Sequence, residues 1–327
     1  MQILESINIF LAVNIADLAL TGVKIGLIMA IMTLGVHISY RILDAADLSI
    51  EGIFPLGACV AGILIYYNVP AILATLIACV AGALGGLVTG LLHTKLKIPM
   101  ILSGIITMTG LYSINLALLG LSDKNVITMK SMTFGFKNGL FGKFRELIIG
   151  LGLDNSAATT ISTLVVSALW LGIVFLIMYY FFGTEVGMAI RATGNNDKMA
   201  RAEGINTNKM ILLGLMISNA LIALAGALFS QNGGTSNVDS GRGMIVVGLA
   251  AIIIGEAIFG RKTYKLQLIS IITGTIIYYL LRQIAIELNV VEFLDLVSAV
   301  LIVIILAVPL IKKASLSKKG GLKNARN

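Results

Sequence analysis

Nine apolar runs, at residues 20–40, 50–68, 70–92, 99–121, 161–182, 209–230, 243–260, 266–281 and 293–311, constrain this chain more than any other feature. Each is near the length a helix needs to cross a hydrocarbon layer about 30 Å thick, roughly 20 residues. Only a helix or a closed barrel bonds every backbone group internally there, and continuous apolar runs of this length belong to helices. Composition agrees, with 57% hydrophobic and 12% charged residues in 327. An ordinary soluble domain carries roughly a quarter charged residues, and it could not hide so much apolar surface. The expected fold class is an all-α polytopic membrane protein of about 8–10 transmembrane helices, forming one domain over residues 1–327 with its bundle at 20–312.

Residues 1–19 lack the basic start and small-residue cleavage site of a secretory signal, so the N-terminus is expected to be retained. Glu5, Asn14 and Asp17 make this segment too polar for a full span, and it is read as an amphipathic surface helix. Cys59 and Cys79 fall inside apolar runs, where small packing residues are expected rather than a disulfide or metal pair. The net charge of +8 sits in short segments between runs. That distribution is membrane topology and not a nucleic-acid footprint.

The tail at 312–327 holds Lys312, Lys313, Lys318, Lys319, Lys323 and Arg326 without an acid, which predicts a cytoplasmic end. Counting back puts Arg261, Lys262, Lys265, the 183–208 loop, Lys95, Lys97 and Arg41 on the same side, and the 122–160 loop outside. The outside loop is basic, with Lys124, Lys130, Lys137, Lys143 and Arg145, but long loops follow the charge rule less closely. In the third run Gly82, Gly86 and Gly90 recur every four residues and leave a smooth helix face. Packing inside the bundle and dimerisation are both open to such a face.

Two runs are interrupted by polar sequence in matching places. Arg41-Ile-Leu-Asp44-Ala-Ala-Asp47-Leu-Ser-Ile-Glu51-Gly52-Ile-Phe-Pro55-Leu-Gly57 follows the first span, and Gln231-Asn-Gly-Gly-Thr-Ser-Asn-Val-Asp239-Ser-Gly241-Arg242-Gly243 precedes the run that carries Glu256. The first follows an inward span and the second an outward one, the arrangement of an inverted repeat. Paired interrupted helices mark a transport path, because freed backbone groups are tolerated only where they line a cavity. Two plain polar loops are the other reading. A charge inside a span costs several kcal/mol if it faces lipid. Glu256 is therefore expected in an ion pair, at a helix end, or on a solute. His37 and Asn219 are expected to be packing and cross-helix bonding residues.

The 183–208 loop reads Gly183-Thr-Glu185-Val-Gly187-Met-Ala-Ile-Arg191-Ala-Thr-Gly194-Asn195-Asn-Asp197-Lys-Met199-Ala-Arg201-Ala-Glu203-Gly204-Ile-Asn206. Glu185 in a first turn, Gly194 as a terminator, Asn196 or Asp197 as a cap and Gly204 as a stop predict two short helices. Met188, Ile190, Met199 and Ala200 give them an apolar component suited to a partner surface.

This loop resembles the signature segment of the branched-chain amino-acid type of ABC importer permease, with Gly187, Arg191-Ala, Gly194-Asn195, Ala200-Arg201 and Gly204-Ile-Asn206 in the family's pattern. Asp47 through Gly52 and on to Gly57-Ala-Cys is similar to the family's early motif, and Gly248 through Gly260 to its late one. The chain departs from the pattern at Gly255-Glu256, where wider members carry two glycines, and at Arg41-Ile-Leu-Asp44.

The resemblance implies coupling roles for Glu185, Gly187, Arg191, Gly194, Asn195, Ala200, Arg201, Gly204 and Asn206, and pathway roles for Asp47, Glu51, Gly52 and Glu256. It implies a second permease subunit, read as an identical copy, with two cytoplasmic ATPases and an extracytoplasmic solute-binding protein in the cell membrane. ATP and magnesium would be held by the ATPase, with no cofactor, metal or catalytic residue on this chain. No phosphate-binding Gly-x-x-x-x-Gly-Lys-Ser/Thr run occurs; Gly142-Lys143 is followed by Phe144 and has no glycine at 137.

An ion-coupled secondary transporter that titrates Asp44, Asp47, Glu51 or Glu256 is the alternative. Two histidines without a second ligand nearby disfavour an intramembrane enzyme, and a channel has no use for the capped loop helices. The resemblance points to an amino acid as solute, with sugars and nucleosides still open. Reversing the charges of Lys124, Lys130, Lys137, Lys143 and Arg145 is expected to abolish uptake by weakening the docking of an acidic binding protein; undiminished uptake would show that the loop does not receive it.

Overall fold

The computed structural model describes residues 2–122, 131–134, 139–152, 154–260 and 263–287, with side chains from Asp17 onward. Eleven α-helices are described. They are α1 Gln2–His37, α2 Ile50–Tyr66, α3 Ala71–Thr94, α4 Met100–Gly120, α5 Leu140–Ile149, α6 Asn155–Phe181, α7 Glu185–Asn195, α8 Asp197–Ala202, α9 Thr207–Gly233, α10 Met244–Phe259 and α11 Tyr264–Glu287. Seven helical segments are long and apolar enough to cross a membrane, and α2 is a shorter apolar helix. The expected all-α polytopic fold is present. The ninth run, 293–311, and the basic tail lie outside the described residues, as do Arg261 and Lys262.

Residues 2–19 are not a separate surface helix. They run without a break into α1, a helix of 36 residues or about 54 Å. Asn14 and Asp17 are polar but neither breaks a helix, and no proline or glycine stands before Gly22. At its other end α1 passes into one π-helical turn, Ile38–Ile42.

Small residues set the spacing of the bundle. Gly82 and Gly86 of α3 bring its backbone against Asn219, Ala223 and Leu215 of α9; a Cβ at either would overlap a carbonyl oxygen of α9. The glycine face is thus buried within the chain, as helix association in lipid favours. Gly22 and Gly26 seat α1 on Leu280 and Ile276 of α11, and Ser218 of α9 donates a hydrogen bond to the Gly35 carbonyl of α1 at 2.7 Å. The outer faces of α3, α4 and α6 stay apolar and exposed, for example at Val80, Leu84, Ile101, Leu169 and Ile177. That is a surface for hydrocarbon. Cys59 and Cys79 are free and unpaired in sulfur bonding, as expected of packing residues.

The polar connections gather at two ends. At one end lie the π-turn, α7, α8 and the start of α11; the π-turn, α7 and the start of α11 line one cavity there. At the other, β1 Ser131–Thr133 pairs antiparallel with β2 Thr235–Asn237 in the register Ser131 to Asn237, Met132 to Ser236 and Thr133 to Thr235. This ties the 122–160 loop to the second interruption. At the same end Asp154 starts α6, its carboxylate accepting from the Ser156 hydroxyl at 2.7 Å, and this bond holds the Asp154 carboxyl below the usual range.

Gly86→Leu is expected to destabilise the purified protein by about 1–3 kcal/mol through overpacking of α3 on α9, seen as a lowered Tm in detergent. Gly110→Ala, at a glycine with nothing within 4 Å, should leave Tm unchanged or slightly raised.

Candidate functional site

The two interruptions meet in the middle of the bundle. Glu51, in the first turn of α2, lies about 22 Å below Tyr66 at the end of that helix, and Gly243, just before α10, lies about 24 Å from the end of that 16-residue helix. Yet the Glu51 carboxylate accepts the Gly243 N–H at 3.1 Å. Both helices therefore begin at mid-depth, α2 running to one face and α10 to the other, as an inverted repeat requires. Gly243 turns the chain into α10 with φ 71°, a conformation open to glycine at little cost. The carboxylate suits the unpaired N–H groups and positive dipole end at the start of α10.

Pro55 has no N–H for the Glu51 carbonyl four residues back. Gly241 packs directly over that carbonyl, where any Cβ would overlap it. The interruption enters as a 3-10 turn, Val238–Gly241, whose Asp239 pairs with Arg242 at 2.9 Å. Across from it, the Asn115 amide donates to the Gly52 carbonyl at 3.1 Å. Glu51, Gly52, Pro55, Met108, Tyr112, Asn115, Asp239 and Arg242 are among the residues lining a cavity of about 540 Å³, within the usual 300–1,000 Å³ of small-molecule sites.

Asp47 is not among the residues lining this cavity. It is 1% exposed, accepts from the Ser49 N–H at 2.8 Å and from the Asn219 amide of α9 at 3.0 Å. Its geometry is that of a pin: it turns the chain into α2 and anchors that turn to α9. Asn219 is the cross-helix bonding residue that the sequence predicts.

Glu256 is far from the mid-depth cavity and pairs with Arg41 of the π-turn at 2.6 Å. The pair lines a polar cavity of about 750 Å³ with His37, Asp44, Arg191, Asn195 and Tyr264. The two places where the sequence departs from its resembled pattern are one ion pair.

The 183–208 loop forms the two predicted helices, α7 and α8. Thr184 caps the first by accepting from the Gly187 N–H, with Glu185 exposed in its first turn. Asn196 caps the second by accepting from the Met199 N–H. Arg201 donates to Asp197 at 3.2 Å, Ala200 is buried, and Gly204 closes α8 with φ 84°. Asn206 caps α9 by accepting from the Lys209 N–H.

Gly194 does not terminate α7. The helix continues to Asn195, and Gly194 is where α7 crosses the π-turn so closely that a Cβ would overlap the Ile42 carbonyl oxygen. Gly187 does the same against the Phe181 carbonyl at the end of α6. The Arg191 guanidinium stacks on the Tyr264 ring at 5.3 Å, reaching the start of α11. Ile190 turns inward, whereas Met188 and Met199 are 52% and 59% exposed.

Residues 18–308 match the model of the family described as branched-chain amino acid transport system, permease component. The chain belongs to this family. It is 36% identical over 282 residues, 86% of this chain and 88% of the relative, to the tyrosine transport system permease protein of Clostridioides difficile (strain R20291). It is 30% identical over 243 residues, 74% of this chain and 78% of the relative, to an uncharacterised protein of Rickettsia prowazekii (strain Madrid E). To the ribose import permease protein of Escherichia coli (strain K12) it is 26% identical over 235 residues, 71% of this chain and 64% of the relative. With its apolar helices, this branched-chain-type permease is a multi-pass protein of the cell membrane and a permease component of an ABC transporter, whose energy comes from an ATPase partner.

Asp239 and Arg242 were read only as part of the second interruption, and Asn115 and Tyr264 were not singled out from the sequence. Asn115 carried the same signal as Asn219, an amide in an apolar run; the others became visible only through their neighbours. Breaking the Arg41 to Glu256 pair by Arg41→Ala or Glu256→Ala is expected to cost roughly 1–3 kcal/mol, below the 3–5 of a fully buried pair because both side chains are partly exposed. The exchanged pair Arg41→Glu with Glu256→Arg should recover most of the loss in a Tm double-mutant cycle, and additive losses would show that the two act independently.

Proposed function

We propose that this permease imports an amino acid, energised by ATP hydrolysis on separate subunits that dock on α7 and α8 at the cytoplasmic face. The observation that carries the coupling is the close seating of α7: Gly194 on the Ile42 carbonyl, Gly187 on the Phe181 carbonyl and Arg191 on Tyr264 leave it in contact with three spans at once. Displacing α7 must move the ends of α1 and α6, where its two glycines lie directly on their carbonyls, and it draws on α11 through Arg191. The exposed Met188 and Met199 are a natural docking surface, adaptable and costly to leave in water.

The π-turn relays the movement inward. Arg41 ties it to Glu256, α10 is a rigid helix from Glu256 back to Gly243, and Gly243 rests on Glu51 at mid-depth. Alternating access requires only that the ATPase pair bind the two permease states with different affinity. In this reading the 122–160 loop and β1 face outward and receive the solute-binding protein, the 183–208 loop and the 312–327 tail face the cytoplasm, and an identical second copy completes the permease. ATP and magnesium are held by the ATPase. The solute assignment rests on the name and similarity of the Clostridioides difficile relative, and tyrosine is the first amino acid to test.

The test is ATP-driven uptake in proteoliposomes holding the permease, its ATPase and its binding protein. Gly194→Leu and Arg191→Ala are expected to insert normally but to lower uptake and binding-protein-stimulated ATP hydrolysis at least about tenfold, a loss of about 1.4 kcal/mol or more in coupling. Uptake that survives both substitutions, or that runs on an ion gradient without ATP, would overturn the reading.

A further inference from the structure

The mid-depth cavity carries charge where charge is expensive. Glu51, Asp239 and Arg242 all line it, and Arg242 is 73% exposed while its pair with Asp239 occupies only one side of the guanidinium. A guanidinium and two carboxylates beside the start of α10 cannot sit against hydrocarbon without a penalty of several kcal/mol. This face must therefore hold water and whatever passes through it.

The lining also has an apolar side, made by Met108, Pro55, Val238 and the Tyr112 ring. One further group is unsatisfied. Asn115 is fully buried, its amide N–H₂ is used on the Gly52 carbonyl, and its Oδ1 has no partner among the described residues. A buried acceptor left unmade costs about 1–3 kcal/mol, so a donor arriving from the cavity would be held there.

Resting on the import of an amino acid proposed above, we propose that this cavity is the transit site for a zwitterion. Arg242 takes the α-carboxylate, with its planar fork matched to two oxygens. Glu51 and Asp239 face the α-ammonium, and Asn115 Oδ1 accepts one of its protons or a donor on the side chain. The apolar wall of Met108, Pro55, Val238 and Tyr112 receives the rest of the solute. A neutral sugar has no charge to satisfy Arg242 once it leaves Asp239, whereas a zwitterion replaces that pair with two of its own. Because Glu51 also bonds the start of α10, occupancy of the site bears directly on the helix that the Arg41 to Glu256 pair ties to the opposite end.

The experiment uses the whole complex with saturating tyrosine-loaded binding protein, comparing labelled tyrosine uptake with stimulated ATP hydrolysis. Arg242→Gln is expected to lower uptake about tenfold or more, the worth of one charge-assisted bond, while ATP hydrolysis stays within about twofold. Arg242→Lys should recover part of it, and Met108→Trp, which fills the cavity without touching a charge, should block uptake with hydrolysis retained. Uptake within about twofold of wild type for both Arg242→Gln and Met108→Trp would overturn the site and leave the importer reading standing. If Arg242→Gln lost hydrolysis as well, Met108→Trp would decide alone. A wild-type complex that hydrolyses ATP but moves no amino acid would overturn the solute and the site together.

Discussion

A helix that starts in the middle of a membrane leaves N–H groups without partners, and in hydrocarbon no water is available to take them. The hydrogen bond from the Gly243 N–H to the Glu51 carboxylate answers this for α10, with a charge that also complements the helix dipole. The same contact apposes the starts of α2 and α10. Pro55, Gly241 and the Asp239–Arg242 turn are arranged around it, and the cavity exists because these short helices leave the centre of the bundle unfilled by regular structure. Removing the contact would leave a helix end and the carboxylate that faces it without one another at the same depth.

From that centre the structure extends to one end through few, stiff links. α10 carries Glu256, Glu256 holds Arg41, and the π-turn bearing Arg41 lies under Gly194 of α7. Each link is a contact without slack: an ion pair, a helix, and a glycine pressed on a carbonyl oxygen. Packed interfaces of this kind shift between discrete arrangements more readily than they deform. The second interruption also bonds through β2 to β1, so the mid-depth cavity lies between two elements that reach opposite ends of the bundle.

The sequence motifs and the structure agree most closely where the motif carries a local rule. Thr184, Asn196 and Asn206 cap helices and Gly204 ends one, because capping and positive φ depend on the residue and its immediate neighbours. Gly194 looked like a terminator by the same rule and is something else. Its absent side chain makes room for Ile42, which is more than a hundred residues away, and no local pattern distinguishes the two uses. The departure from family pattern at Arg41 and Glu256 was legible as two oddities; that they compensate one another is a statement about their distance. Asp47 and Glu51 looked alike in one motif, yet one is a buried anchor on α9 and the other lines the cavity.

What the sequence determined by itself is the solvent and the local form: long apolar runs require helices in a bilayer, and polar residues with glycine and proline require that two of those helices be interrupted. The tertiary structure decided which residues share a space. Glycines at 82 and 86 face α9 rather than a second copy, residues 2–19 continue α1 rather than lying beside it, and Glu51 meets Gly243 across nearly two hundred residues of chain. Apolar periodicity and caps act within one or two helical turns, whereas the charge pairs and close glycine contacts that make the site depend on how separate helices cross, and that is set by packing over the whole bundle.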